Sequence, residues 1–392
     1  MPRDELTEHL SWLTTPKNFN VICQEPTSGL LRTYVRRSKC EEYINFGAMA
    51  WTDLHDFTPL LPHVRIRFHD VVSLPLIQRE LGVSENETFE YRDRQLYDWR
   101  LYEDPKVARE ILANGTNYVD SFTGRRYYKV FTPQQWQDRP ERLLQLGGVF
   151  GSTRLTLQKP EHIELQRTIG SVLQYRRDNL LGDTVRGIVE HLGGPGSFLS
   201  LHFRTGDAPF RGQVEANLEM FIRTMANITG APVMLPVEAV EKENSPAWRL
   251  EGLQSQSRFQ LIPPEDLTTP PWSLFCSPVP ADRTKSLQNL NARVLVYIAT
   301  DHEDPRALDS TILPWFDHFP CTVTLRDIPS ALLEPLDGIR DLVDPSKSLR
   351  PFLIPLVDAM VAAHAREILT TPRSTYSRYI ESLNRAWVPR DL

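Results

Sequence analysis

The stretch SFLSLHFRTGD (Ser197–Asp207) decides the fold of this chain, because it joins a short apolar run to a polar turn that contains glycine. An apolar run followed by turn residues is typical of a buried strand. A second apolar run, VLVYIA (Val294–Ala299), continues in the same way into TDHED (Thr300–Asp304). Ligands of open parallel sheets bind beyond the carboxyl ends of the strands, so both junctions are candidate sites.

The sequence around these two strands alternates between strand and helix patterns. Further apolar runs predict strands at Cys321–Leu325 and Ile368–Thr371. The helical spacing of apolar residues predicts helices at Leu218–Met225, Asp358–Glu367 and Ser377–Trp387. Strands that alternate with helices predict an α/β fold with a parallel, doubly wound sheet.

The chain has 392 residues, which is enough for two lobes. We predict an N-terminal lobe of irregular α/β structure at 1–190 and a C-terminal lobe at 191–392. Helical periodicity covers Glu161–Leu192, either as one helix or as two helices that meet at Gly182-Asp183. The Pro-rich, polar segment Ala231–Ser286 has no clear period and predicts a long surface insertion in the second lobe.

Composition excludes several classes of protein. Apolar residues make up 41% and charged residues 24% of the chain, which excludes a largely disordered protein. The net charge of −6 argues against a general binder of nucleic acid or of anionic membranes. No apolar run approaches the roughly 18 residues that span a bilayer, and Met1–Leu13 lacks the pattern of a signal peptide. The four cysteines show no zinc spacing, and Cys321, in an apolar stretch, is interpreted as a buried side chain.

The first junction carries two basic side chains, His202 and Arg204, that share one face if the strand extends through them. The guanidinium group of Arg204 offers a rigid fork of donors that suits a phosphate group. The alternative is a plain strand end with a salt bridge between Arg204 and Asp207.

The second junction carries the hydroxyl and carboxyl groups of Thr300 and Asp301. These groups could bind a metal ion or a ribose, or they could cap the next helix. A strict D-x-D motif, which holds a metal-bound diphosphate in many transferases, is absent from the chain, and Asp301-His302-Glu303 is the nearest match.

A third candidate site follows the predicted strand at Ile368, where a turn leads into Ser374 and Thr375 at a helix start. The free N–H groups of a first helical turn and the helix dipole favour an anion, and the two hydroxyl groups can add hydrogen bonds to phosphate oxygens. The alternative is an ordinary N-cap. Motifs of other chemistries, including the P-loop, the nucleophile elbow, H-E-x-x-H and a well-placed G-x-G-x-x-G, are absent from the sequence.

Taken in order, these motifs resemble those of the GDP-fucose protein O-fucosyltransferase family. They are H-x-R-x-G-D from His202, a strand that ends in A-T-D, and Val357-Asp358 followed by an S-T-aromatic-S helix start. The resemblance is best over Gly193–Arg385, with weaker echoes at Trp51–Val72 and Phe150–Leu155.

The resemblance implies a GT-B architecture, in which two Rossmann-like lobes with mostly parallel sheets hold the nucleotide sugar mainly through the C-terminal lobe. It implies an inverting transfer of fucose from GDP-fucose to a Ser or Thr hydroxyl of a protein or glycan acceptor. No metal ion and no other cofactor are expected, and neither nucleic acid nor a membrane-integral segment is implied.

The resemblance also implies roles for individual residues. Arg204 would be the catalytic residue, neutralising the departing diphosphate, and Asp358 would contact the guanosine. Tyr376 stands where the family usually has Phe. The full set of expected substrate-binding residues is His202, Arg204, Asp358, Ser374, Thr375 and Tyr376, with Asp207 and Asp301 as secondary positions.

One part of the family pattern has no clear counterpart here. The family opens with a strand and a Gly-Asn-rich turn, whereas the nearest local match, Thr27–Arg32, lacks the Asn. We therefore expect the N-terminal lobe to lack its usual first unit, or the protein to be a non-catalytic member that binds a nucleotide sugar or glycan. A transferase of the same fold with another donor is a third alternative. The family works in the ER and Golgi lumen, whereas the sequence shows no leader.

Overall fold

The computed structural model describes residues 49–68, 74–91, 99–113, 119–120, 125–126, 129–146, 154–206, 210–232, 276–280, 285–288, 290–342 and 345–388. The chain divides into two compact units, Met1–Arg176 with Arg340–Lys347 and Arg177–Ile339 with Ser348–Leu392. The division after residue 176 comes earlier than the predicted lobe boundary at 190. Both units mix helices with strands, and most of the strand pairs are parallel.

The first unit is built from short strands and helices. Its strands are β1 (Thr88–Tyr91), β2 (Trp99–Tyr102), β3 (Val119–Asp120), β4 (Arg125–Arg126), β5 (Lys129–Phe131), β6 (Leu143–Leu146) and β7 (Leu155–Thr156). Its helices are α1 (Trp51–Leu54), α2 (Leu74–Leu81), α3 (Pro105–Ala113), α4 (Pro133–Gln137) and α5 (Pro160–Val172). β1 pairs with β6, and β2 lies between β5 and β7, all in parallel, whereas β3 and β4 form an antiparallel pair.

Aromatic side chains form the core around β2. The ring of Trp99 is 1% exposed and meets the rings of Phe131 and Trp136 edge-on, at 6.1 and 5.2 Å between centroids. The guanidinium of Arg154, itself buried, lies 4.7 Å from the Trp99 ring centroid and donates to the Trp99 carbonyl. A cation stacked on an aromatic face is thereby stabilised inside a small core.

A carboxylate of the first unit lies at the N-terminus of α5, where the helix dipole carries partial positive charge. The Glu103 carboxylate, 8% exposed, accepts hydrogen bonds from the backbone N–H groups of Gln158 and Lys159 and contacts His162. The two amide hydrogen bonds lower the pKa of Glu103 to about 2, and the bond from Gln158 has the larger effect. A carboxylate of the protein itself is therefore bound directly before the first turn of this helix.

The second unit contains the predicted parallel sheet. Its strands are β8 (Leu199–Phe203), β9 (Val296–Thr300), β10 (Thr322–Thr324) and β11 (Ile368–Thr370), in the order β10-β9-β8-β11, and every pair is parallel. Its helices are α6 (Leu180–His191), α7 (Val214–Thr229), α8 (Leu313–His318), α9 (Arg350–Ala363) and α10 (Thr375–Trp387). The four strands predicted from apolar runs are confirmed.

Successive side chains of β8 point to opposite faces of this sheet, and their contacts show which helices cover each face. Leu199, Leu201 and Phe203 belong to one apolar cluster with residues of α7 and α8. Ser200 and His202 point the other way, because Ser200 donates to a carbonyl at the end of α9 and His202 contacts α10. Both faces of the sheet are covered, which explains why every residue of β8 and all but the last residue of β9 are buried.

Two helix predictions are corrected. The pattern over Glu161–Leu192 forms two helices, α5 and α6, and the break lies before Asn179, the N-cap of α6, rather than at Gly182-Asp183. The helix predicted at Asp358–Glu367 begins at Arg350 and ends at Ala363. Pro351 in the first turn, where proline is tolerated, and Pro355 inside the helix hide the onset of α9 in the sequence.

Cys321 is buried as predicted, but it also forms a disulfide with Cys276, which the scattered cysteines did not predict. The same segment pairs with the sheet through Ser277 and Val294. At the end of α7, Gly230 has a φ of +72°, and a Cβ there would lie 1.8 Å from the Gln288 carbonyl oxygen. Most of the predicted insertion at 231–286 falls outside the described residues, but both of its ends are firmly attached.

Within the part of the chain that the structure describes, no helix is both long and apolar enough to cross a membrane.

Candidate functional site

The carboxyl ends of β8 and β11 are joined by one threonine. The backbone N–H of Arg204 donates to Oγ1 of Thr371 at 2.9 Å, and that hydroxyl donates to the His202 carbonyl at 3.0 Å. The Thr371 N–H donates to the same carbonyl. Arg204 therefore leaves β8 at a fixed position beside the turn that leads into α10.

Asp301, directly after β9, holds the loop that follows β8. Its carboxylate accepts from the Thr205 N–H at 2.7 Å and the Gly206 N–H at 3.1 Å, and it lies 3.3 Å from Nε of Arg204. A Cβ at residue 206 would lie 3.0 Å from Oδ2 of Asp301, so glycine permits this close approach. Arg204 thus pairs with Asp301, while Asp207, the partner considered from the sequence, lies outside the described residues.

The Arg204 side chain is 33% exposed although it is paired. Its ion pair fixes the position of the guanidinium group without removing it from solvent. An arginine with this geometry can meet an anionic ligand through its planar fork of donors.

His202 lies beneath this surface, 5% exposed. Its Nδ1 lies 2.7 Å from Oγ of Ser377, and its ring meets the Tyr376 ring edge-on at 5.6 Å. Burial lowers the pKa of His202 to about 4, so the imidazole is neutral at pH 7. In this position His202 fixes the first turn of α10 against β8.

The start of α10 combines a cap with a helix N-terminus near Arg204. Ser374 is 3% exposed, and its hydroxyl oxygen accepts a hydrogen bond from the Ser377 N–H. The interpretation of Ser374 as an N-cap is therefore confirmed. Thr375 is exposed at the first helical position. The Tyr376 hydroxyl donates to the Pro355 carbonyl at 2.9 Å, so this group bonds to α9.

A cavity of about 460 Å³ opens beside the carboxyl ends of β9 and β10 and is called the Asp358 cavity here. It is lined by Ile298, Thr300, Asp301, His302, Pro305, Thr324, Leu325, Arg326, Ile328, Ser330, Leu333, Ile354 and Asp358. The lining thus combines apolar side chains with carboxyl, hydroxyl and guanidinium groups. Such a lining suits a flat ring with polar edges.

The carboxyl group of Asp358 is held by β9. It accepts from the Tyr297 hydroxyl at 2.5 Å and from the Thr300 N–H at 3.2 Å. Burial raises the pKa of Asp358 to about 7, although these two hydrogen bonds act in the opposite direction. The group therefore titrates near neutrality, which is common for side chains at functional sites.

A second cavity, of about 580 Å³, shares Asp301 and His302 with the first. It lies toward the start of α7, and its other lining residues are Thr205, Gly206, Arg211, Gly212, Val214, Glu215, Glu303 and Thr311. Asp301 therefore stands between the two cavities and beside Arg204.

The sequence patterns missed two residues of this site, Thr371 and Tyr297. A tyrosine inside the otherwise aliphatic run VLVYIA was a signal for a buried hydroxyl with a partner. Across the described ranges, no group of three or more His, Cys, Asp or Glu side chains is arranged to hold a metal ion.

No family model matches this chain, and no curated protein matches it. The site itself is that of a mixed α/β unit whose polar residues meet at the carboxyl ends of parallel strands.

Proposed function

We propose that the second unit binds GDP-fucose and that the protein is an inverting, metal-independent O-fucosyltransferase of GT-B architecture. The observation that carries the proposal is the meeting of three features at one sheet edge. These are the partly exposed guanidinium of Arg204, the N-terminus of α10, and the cavity that contains Asp358. They supply donors for a diphosphate and an acceptor for a base, in the same unit.

The proposed reaction breaks the bond between C1 of fucose and the oxygen of the β-phosphate. The acceptor hydroxyl oxygen bonds to C1 from the opposite face, its proton passes to a base or to water, and the electron pair of the broken bond leaves with GDP. Arg204 and the first-turn N–H groups of α10 would stabilise that charge. Loss of one such donor typically costs about a hundredfold in rate or more.

Asp358 would accept hydrogen bonds from the N–H groups of guanine. A carboxylate can accept two donors side by side, which matches the ring N–H and amino group on one edge of this base. His202 has a different role in this proposal: it is buried and neutral, so it would support α10 rather than remove a proton from the acceptor.

The disulfide supports a place in the secretory lumen. Disulfides such as Cys276–Cys321 persist in oxidising compartments and are rare in the cytosol. The ER and Golgi lumen is also where the resembling family works.

Calorimetry with GDP and GDP-fucose tests the proposal on wild type, Arg204→Ala and a control, Arg223→Ala. Arg223 lies on α7 and pairs with Glu219 in the same helix, on an exposed surface. We expect wild type and the control to bind both nucleotides alike, and Arg204→Ala to bind at least tenfold more weakly. Absence of binding by wild type would refute the proposal.

A second candidate function is a non-catalytic module that binds nucleotide sugars or glycans. It is favoured by Thr27–Arg32, which lacks the Asn of the family turn and lies outside the described residues. Release of GDP from GDP-fucose with any acceptor peptide would exclude this alternative. A parallel panel of UDP and GDP sugars distinguishes a transferase that uses another donor.

A further inference from the structure

The buried side chain of Tyr297 holds the carboxyl group of Asp358, a residue of α9 that lines the Asp358 cavity. Tyr297 is 0% exposed, and its hydroxyl is directed between β9 and α9 to Oδ1 of Asp358. The Thr300 N–H bonds to the other oxygen, Oδ2. Both carboxyl oxygens are therefore held from one side, by the same strand, and the group cannot rotate without losing a hydrogen bond.

The charges around Asp358 come from three neighbouring elements. Asp301 and His302 follow β9, Arg326 and Asp327 lie in the short 3-10 helix after β10, and α9 carries Asp358 itself. Asp327 pairs with Arg306, and Asp301 pairs with Arg204. No residue of the described chain forms an ion pair with Asp358, so hydrogen bonds alone fix this carboxyl group.

We propose that Tyr297 is a positioning residue for nucleotide binding: it holds the Asp358 carboxyl group in one orientation toward the cavity, so that binding strengthens from mildly acidic to mildly basic solution. The inference rests on the proposed function, because it assumes a base with N–H donors in this cavity. Two such donors side by side favour the ionised carboxylate, because a protonated carboxyl group turns one of its two oxygens into a donor.

The direction of the pH effect follows from the pKa of Asp358, which burial raises to about 7. At pH 6 about a tenth of the protein would carry the ionised group, and at pH 8 about nine tenths, since the ionised fraction changes tenfold per pH unit below the pKa. A ligand that requires the ionised form should therefore bind about tenfold more tightly at pH 8 than at pH 6.

The first experiment needs no nucleotide. Carbon-13 NMR of protein labelled at aspartate carboxyl groups follows the titration of Asp358, with Asp358→Asn as the assignment control. In Tyr297→Phe, loss of the hydroxyl removes a hydrogen bond that lowers the pKa of Asp358, so the midpoint should rise above the wild-type value. An unchanged midpoint would overturn the inference.

The second experiment measures GDP-fucose affinity at pH 6 and pH 8, because its diphosphate diester does not titrate in this range. Wild type should show the tenfold difference, Asp358→Asn should show none, and Tyr297→Phe should bind about tenfold more weakly at pH 8. If wild type does not bind GDP-fucose, the proposed function fails, and the NMR titration still decides the role of Tyr297. If wild type binds equally at both pH values, the inference fails while the proposed function stands. If Tyr297→Phe does not fold, the inference is still overturned when the GDP-fucose affinities of wild type and Asp358→Asn depend equally on pH.

Discussion

Each compact unit buries a carboxyl group next to a helix, but the two groups have opposite electrostatic environments. In the first unit, Glu103 accepts two amide hydrogen bonds at the start of α5, and these bonds lower its pKa to about 2. In the second unit, burial raises the pKa of Asp358 to about 7 and lowers that of His202 to about 4. The first unit stabilises a charge, whereas the second favours two neutral groups.

This difference separates a structural carboxylate from a residue of the candidate site. Glu103 fills its helix N-terminus from inside, so nothing further is required there. Asp358 forms no ion pair within the described ranges and lines a cavity, so a ligand with polar hydrogens would complete its environment. Buried groups that retain unfavourable environments are more often found where a ligand binds than where a fold is merely held together.

Acid should destabilise the second unit through His202. Its folded pKa of about 4 lies below the unfolded value near 6.5, so stability is lost as the pH falls from about 6.5 toward 4. Between pH 7 and pH 5 the His202 contribution should be about 2 kcal/mol, or about 4 °C in Tm. His202→Gln should lower the pH dependence of Tm by this amount. His191 and His364, whose pKa values burial also lowers, contribute equally to both proteins, so an identical pH dependence would contradict the prediction.

Replacing Asp358 with Asn should act in the opposite pH direction. The folded pKa of about 7 lies above the unfolded value near 3.8, so stability falls as the pH rises through this window and stays low above pH 7. The Tm of Asp358→Asn relative to wild type should therefore improve by about 4 °C from pH 5.5 to pH 8. Differential scanning calorimetry without nucleotide measures it, and a constant Tm difference would show that this carboxyl is not a buried acid.

The matched change in the first unit, Glu103→Gln, should lower Tm at pH 7 by less than the changes above, because the amide keeps the shape but loses the charge at the start of α5. The folded pKa of Glu103 is about 2, below the unfolded value near 4.5, so this contribution is lost as the pH falls from 4.5 toward 2. A destabilisation that persists unchanged at pH 3 would mean that packing, and not charge, explains the effect.

The two N-caps of the second unit provide the smallest and most specific comparison. Ser374 caps α10 at the site, and Asn179 caps α6 through the same type of hydrogen bond. Either change to Ala should cost about 1 kcal/mol, or about 2 °C in Tm. Only Ser374→Ala should also weaken GDP binding, and equal affinities in the two variants would remove α10 from the proposed phosphate site.

The sequence predicts the four strands of the second unit well because both faces of that sheet are covered. A strand buried on both faces is mostly apolar and rich in β-branched residues, and such runs are visible without any knowledge of their neighbours. The start of α9 was hidden by its prolines, and the disulfide joins cysteines 45 residues apart that no local pattern relates. The short strands of the first unit, two to four residues long, offer too little periodicity to be found.

The sequence indicates which residue types form the candidate site, but not which of them contact one another. Arg204 and the start of α10 follow from motifs and strand ends. The contacts that orient them depend on register between strands, as with Asp301, which meets the loop after β8 because Phe203 lies opposite Thr300. Tyr297 illustrates the same limit, since its partner lies on a helix that the sequence places incorrectly.

The close approach at Gly230 and the disulfide at Cys276 have a practical consequence for protein engineering. Gly230, close to the last residue described before this interval, packs against the Gln288 carbonyl, and Cys276, the first residue described after it, is bound to Cys321, so both ends of the interval are fixed. Because closing a longer loop costs only about 0.6 kcal/mol per doubling of its length, this interval is a suitable place to splice in a fluorescent reporter or an affinity tag. A fusion there would leave both termini native.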